Sequence, residues 1–132
     1  MTLLRRALQA FAAVWAGCGL AVLLVPRWIL VTWFHQVEYP DYAYVRVTGV
    51  AAVALALLAV LVSRRVGDVW WWSWAFALAA TGTATVTALH ALFTVPQGSE
   101  AWFWWLFAAS NVALAAGLVM GIARAGQENP IV

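Results

Sequence analysis

"AYVRVTGVAAVALALLAVLVSRR", residues 43–65, decides the fold. From Val47 to Ser63 it carries no charge, and Ala, Val and Leu fill most places before Ser63-Arg64-Arg65 ends the run. About 20 such residues span a bilayer as a helix, and Ala43 to Val62 reads as one crossing. The whole chain agrees. It has 132 residues, 66% hydrophobic and only 9% charged, whereas a soluble domain carries roughly 25% charged residues. Too few charges are present to cover a surface in water, so lipid is the expected solvent for most of it.

Three further runs have the same character. They cover about Ala7–Val25, stopped by Pro26, then Trp70–Phe93 and Ala101–Ala123. The four spans (7–25, 43–62, 70–93, 101–123) are 19 to 24 residues long, which suits a helix crossing with modest tilt. No segment alternates polar and apolar as a barrel strand must, and backbone groups in lipid have to be satisfied internally, which selects helices. The expected fold is all-α: a polytopic membrane protein, a four-transmembrane-helix antiparallel bundle forming one domain over residues 1–132. Short loops after spans two and three make consecutive spans antiparallel neighbours. The first loop begins "PRWILVTWF", too apolar for an open loop. Pro26 suits a first helical turn, so residues 26–36 are expected to form a short interfacial helix. "EYPDY" is then the turn into span two, with Pro40 holding Tyr39 extended.

The net charge of +2 comes from seven Arg and five acids, with no Lys. That excess is too small and too scattered for nucleic-acid binding. Arg5, Arg6, Arg64, Arg65 and Arg124 fall on one side of the spans, Arg27 and Arg46 on the other. Arginine-rich short loops stay in the cytoplasm, so both termini are expected inside, in a bacterial cytoplasmic (inner) membrane, with residues 26–42 and 94–100 outside. Nine of the ten Trp fit two interfacial belts: Trp70, Trp71, Trp72 and Trp74 inside, and Trp28, Trp33, Trp102, Trp104 and Trp105 outside. Arg5-Arg6 before an apolar run, with "WAGC" at 15–18, resembles a processed leader. Bulky Trp15 and the continuation of the run to Val25 argue for a retained helix. Cys18 is the only cysteine, which excludes an intramolecular disulfide, and it reads as a small core hydrophobe. Ala16, Gly17, Gly19, Gly49, Gly82, Gly117 and Gly121 permit close helix approach. The GxxxG at 117–121 suits internal packing or dimerisation equally.

Polar residues gather at the outer face. Glu38, Asp41 and His35 lie in the first loop, with Tyr42 and Tyr44 at the boundary. Arg46 lies one turn into span two, His90 one turn from the outer end of span three, and Glu100 opens span four. A charge at mid-bilayer costs about 2.5–3.5 kcal/mol on insertion scales, less where the side chain can snorkel. Arg46 therefore has two readings: a snorkelling cation paired with Asp41, Glu38 or Glu100, or an anchor for an anionic head group or carboxylate. Facing inward, it would meet His90 and Glu100. Thr83, Thr87, His90 and Thr94 share one helix face. Asn111, midway along span four, wants a partner across the bundle, and Thr83 is at matching depth. Helix-to-helix glue and a pocket lining both fit these groups. No HxxxH or HExxH metal spacing exists, His35 in a loop disfavours bis-His haem, and no nucleophile sits in a motif. No metal, cofactor or catalytic residue is assigned, and the chain leans away from an enzyme. No acid lies inside a span, unlike small proton-coupled exporters.

The Pro-containing turn followed by Arg46-Val47-Thr48-Gly49 resembles the opening of span two in the small four-helix DoxX-like bacterial membrane proteins. The resemblance covers the first half of the chain and implies a bacterial inner-membrane four-helix bundle. The functional expectation is a small membrane protein acting by binding, as accessory or scaffold partner of a larger membrane protein or complex. One alternative is a small enzyme or lipid/quinone-binding protein with an outer-face site formed by Arg46, His90 and Glu100. Another is an oligomeric transporter or channel, and self-association stays open. Orientation is testable with Cys18 replaced by Ala. A cysteine placed at Gln97 should react with an impermeant thiol reagent on intact cells, and one at Gln127 only after permeabilisation. The reverse pattern refutes the arginine argument.

Overall fold

The computed structural model describes residues 1–128; positions 129–132 of the expected domain lie outside the described residues. The chain forms α1 (Thr2–Leu24), α2 (Ala43–Arg64), α3 (Val66–Val69), α4 (Ser73–Phe93) and α5 (Ala101–Glu128), with no strand among the described residues. A 3-10 turn at Trp70–Trp72 joins α3 to α4, so Val66–Phe93 makes one crossing. Four helices are thus long and apolar enough to span a membrane, and the protein is an all-α polytopic bundle. Its outer surface is itself apolar: Leu57, Leu61, Val86, Leu92 and Val112 are exposed, and Leu78 is 74% exposed. Lipid, not water, accommodates such a surface.

Helix ends differ from span ends. α1 starts five residues before Ala7, and α5 continues five residues past Ala123. Arg5, Arg6, Arg124 and Gln127 mark where hydrocarbon stops, yet Arg and Gln are good helix formers, so the helix runs on into the interface. The interfacial helix is also shorter than residues 26–36. It is helical from Pro26 and widens to a π-helix at Trp28–Trp33. The Phe34 N–H donates to the Ile29 carbonyl at 3.2 Å and the Gln36 N–H to that of Leu30 at 2.9 Å. His35 stops the helix with a left-handed φ of 50°, a conformation His adopts more readily than most side chains. The reversal sends Gln36 back toward the bundle.

α1 packs on both α2 and α5, α5 packs also on α4, and α2 and α4 meet at only a few points. The expectation that short loops make neighbours of consecutive spans therefore holds for α4 and α5 but not for α2 and α4. Two features explain the exception. First, α1 and α2 touch backbone to backbone. A Cβ on Gly19 would lie 2.8 Å from the Gly49 carbonyl oxygen, and a Cβ on Gly49 2.7 Å from that of Gly19. Second, the α2–α4 connection crosses the end of the bundle that carries both termini, the inner end in the expected orientation, the opposite end being the outer one. Val66 is buried there, and the Trp70 ring lies over Gly126, whose added Cβ would sit 3.3 Å from it. Trp70 thus leaves the inner belt for the core, while Trp71, Trp72 and Trp74 stay exposed.

The core fills the inner half. Leu4, Leu8 and Phe11 of α1 face Leu118, Ile122 and Ala125 of α5, each set at spacings of four and three. Phe76 and Ala80 of α4 and Ala56 and Ala59 of α2 complete it. Gly121 lets α1 approach, since a Cβ there would lie 2.8 Å from Leu4 Cα. Gly117 is in ordinary contact with Ala7, so the GxxxG serves packing within the chain. Gly17 and Gly82 have nothing within 4 Å and are not approach points.

Without a hydrophobic force between helices in lipid, close packing is what holds them. Gly19→Val and Gly49→Val should each destabilise the bundle by about 1–3 kcal/mol, the usual range for overpacking. Gly82→Ala should be neutral or up to about 1 kcal/mol stabilising. Reversible unfolding in mixed micelles measures both, and equal effects at positions 49 and 82 would refute the contact.

Candidate ligand cavity

The half of the bundle away from the termini, the outer half in the expected orientation, is not filled. A cavity of about 360 Å³ opens there, walled by all four long helices and by the first loop. Gly19 and Cys18 of α1, Thr48 and Ala52 of α2, Thr83 and Thr87 of α4, and Phe103, Phe107 and Asn111 of α5 line it. Because α2 and α4 scarcely touch, the seam between them is its weakest wall. The volume lies within the range of small-molecule sites, which are mostly apolar with a few placed polar groups.

Trp15 and Asn111 form the floor. Trp15 Nε1 donates to Asn111 Oδ1 at 3.2 Å, and Asn111 Nδ2 donates to the Phe107 carbonyl at 3.0 Å. The partner of Asn111 is therefore an indole on α1, not Thr83 as depth alone suggested. Phe11 stacks on Trp15 with centroids 4.7 Å apart and meets Phe76 edge-on at 5.4 Å, which seals the cavity from the core. Thr87 donates to the Thr83 carbonyl at 2.7 Å and Thr48 to that of Tyr44 at 2.9 Å, the usual recourse of a hydroxyl in a membrane helix.

Gln36 is the roof, and it is buried. Its Nε2 donates to the carbonyls of Phe34 (2.8 Å) and Glu100 (3.0 Å), and its Oε1 accepts from Trp104 Nε1 at 3.0 Å. The Glu100 N–H donates to the His35 carbonyl at 3.3 Å, and the Val37 N–H to Ser99 Oγ at 3.0 Å. One neutral amide thus ties the first outer loop to the second.

The residues singled out at the outer face do not converge. Arg46 is exposed and borders a different groove with Tyr42 and Arg27, away from His90 and Glu100. Glu38 pairs with Arg27, Oε1 to Nε at 2.7 Å, both side chains exposed. Asp41 Oδ1 accepts the Ala43 N–H at 3.0 Å and so starts α2. Tyr42 Oη accepts the Tyr39 N–H at 3.3 Å, and Tyr44 is 85% exposed. Glu100 enters the network through its backbone. His90 packs against Trp104, centroids 4.2 Å apart, with Nδ1 2.6 Å from Thr94 Oγ1 and Nε2 buried without a partner. The consistent tautomer has Nδ1–H donating to Thr94, whose hydroxyl donates to the His90 carbonyl at 3.3 Å. An unpaired lone pair at Nε2 then replaces the costlier unpaired N–H. Of the groups weighed as a pocket lining, Thr83, Thr87 and Asn111 line the cavity, and the candidates at the outer face do not.

Trp15, Gln36 and Trp104 were not singled out by sequence, though each carries a signal. Trp15 lies mid-span, where an indole N–H needs a partner. At about 100° per residue Trp104 lies nearly opposite Trp102 and about a quarter turn from Trp105, so it turns inward when they face lipid. Gln36 is a neutral amide among more conspicuous charges.

The cavity contains no Arg, His, Asp or Glu, and no metal-binding cluster of His, Cys, Asp or Glu exists among the described residues. The arrangement can hold an uncharged apolar molecule and offer it amide and hydroxyl contacts. Fold and cavity together define a multi-pass helical membrane protein with an apolar pocket in one half. Comparison with protein-family models, with curated proteins and with solved structures finds no match for the chain.

Gln36→Leu removes three hydrogen bonds and leaves Trp104 Nε1 and the Glu100 carbonyl unpaired. It should destabilise the protein by about 1–3 kcal/mol, whereas Glu100→Gln, which keeps the backbone contacts, should change stability by less than about 0.5 kcal/mol. Thermal unfolding in detergent tests the pair, and a larger loss for Glu100→Gln overturns the assignment.

Proposed function

We propose that this protein captures a lipid-soluble, uncharged small molecule, of the quinone or neutral-lipid kind, in the outer half of a bacterial cytoplasmic membrane, with both termini in the cytoplasm. The observation that carries the reading is the 360 Å³ cavity, lined by aromatic, aliphatic and neutral polar side chains. A charged ligand would lose its hydration there without a counter-charge, whereas a ring or acyl chain meets Phe103, Phe107 and Trp15 and replaces their contacts with lipid. The five-to-two division of the arginines supports the orientation. The resemblance of Arg46-Val47-Thr48-Gly49 to DoxX-like proteins is in keeping with a bacterial source.

The reading is one of binding rather than catalysis: the Cys18 thiol and the hydroxyls of Tyr39, Thr48, Thr83 and Thr87 line the space with no His or carboxylate among the lining residues to serve them as a base. A scaffold accessory asks for a solid bundle with its polar groups paired, and an open outer half favours capture of a ligand. A channel asks for a passage, and Leu8, Phe11 and Phe76 fill the inner half.

Thr83→Phe places a ring in the cavity from α4. Protein purified in mild detergent should yield, on solvent extraction and mass spectrometry, an apolar compound at near-stoichiometric amount from the wild type and at least about fivefold less from the variant, a loss of about 1 kcal/mol. Equal recovery from both, with both folded by circular dichroism, sinks the reading.

A further inference from the structure

The two arginines of the outer side, Arg27 and Arg46, are 19 positions apart in sequence, and both line a single groove. The groove has a volume of about 530 Å³ and lies among the end of α1, the interfacial helix and the start of α2. Leu24, Val25 and Val31 make its apolar wall, and Trp28, Thr32 and Tyr42 line it together with the two arginines. It is separate from the central cavity, with which it shares no lining residue.

Charge is scarce in this chain, and Arg on the outer side runs against the bias that orients it. Two of the seven arginines nevertheless meet at one place. Glu38 answers only Arg27, with the contact at Nε, and both side chains are exposed. No acidic residue lines the groove. Arg46 makes no ion pair among the described residues, where the pairs are Met1 with Glu128, Arg27 with Glu38, and Arg65 with Asp68. Tyr42 uses its oxygen to accept the Tyr39 N–H, and its hydroxyl proton remains to be donated. The groove therefore offers a planar, forked donor set at head-group depth, above an apolar wall. Guanidinium groups match phosphate oxygens in this way.

We infer that the Arg27–Arg46 groove binds a phosphate diester anion, the head group of an anionic phospholipid of the outer leaflet whose acyl chains lie along Leu24, Val25 and Val31. Charge complementarity selects the head group and the apolar wall selects the lipid over a free anion. The inference is independent of the central cavity, because a different set of residues carries it.

The test uses the full chain in nanodiscs of equimolar phosphatidylglycerol and phosphatidylcholine, with spin-labelled forms of each lipid as probes of the protein-bound fraction. Each arginine at the surface contributes about 1 kcal/mol toward an anionic lipid, about fivefold. The wild type should favour the labelled phosphatidylglycerol by at least about fivefold. Arg46→Gln and Arg27→Gln should each remove most of that preference, Arg46→Lys should keep part of it, and Arg64→Gln at the inner end should leave it unchanged. Inorganic phosphate added at millimolar concentration distinguishes the source. Failure to displace the lipid supports a lipid site, and full displacement shows a free-anion site and overturns the lipid assignment. Equal association of the two lipids with the wild type, or an undiminished preference in both Gln variants, overturns the inference. Should Arg46→Gln not fold, Arg27→Gln and Arg46→Lys decide by the same readout.

Discussion

The contact of Gly19 with Gly49 is the constraint on which the arrangement rests. In lipid, two apolar helices gain nothing by leaving the solvent for each other, and only closer packing than lipid can give holds them together. Two glycines that bring carbonyl oxygens to within reach of the facing Cα hydrogens supply that closeness. Gly121 against Leu4 does the same on the other side of α1. With α1 clasped on both sides, α2 and α4 are kept apart, and the gap they leave becomes the outer cavity. Small residues placed at two heights thus decide where the bundle is solid and where it is not.

Polar side chains follow the same economy of position. Among the described residues, the buried polar side chains of the outer half are the neutral Gln36, Asn111 and Thr87, with the indole N–H groups of Trp15 and Trp104 bonded to the two amides. Each bond made by Gln36 and Asn111 satisfies a group that would otherwise be left bare in a low-dielectric interior, where such omissions cost most. The ionised side chains stay at the rim, where water and head groups solvate them, and Arg27 with Glu38 is an exposed pair of little energetic weight.

Much of the fold was legible in residues 43–65 and the three runs like them, because a lipid-spanning helix needs only length and the absence of charge. The helix ends were less so: Arg5 and Arg124 mark the edge of hydrocarbon, which is not where a backbone stops being helical. The order of packing was not legible, since six glycines in the chain's apolar runs look alike until geometry shows that Gly19 and Gly49 touch while Gly82 faces open space. For the cavity, charge was no guide. Arg46, His90 and Glu100 share a depth, but depth leaves the azimuth around each helix undetermined, and here the azimuths diverge. Asn111 was found because a mid-span amide demands a partner. Its actual partner, Trp15, was hidden among nine other tryptophans that an interfacial belt accounts for so easily.

The thin seam between α2 and α4 would change what affinity means for any ligand of the cavity. A lipid-soluble molecule reaching the cavity by that route never passes through water: it diffuses in two dimensions and enters sideways. Its occupancy then follows its mole fraction in the membrane rather than its aqueous concentration. A compound that partitions a thousandfold more strongly into the bilayer would look a thousandfold tighter in a titration from water, while making no better contacts with Trp15 or Asn111. For a pocket placed in this way, the membrane is half of the binding site.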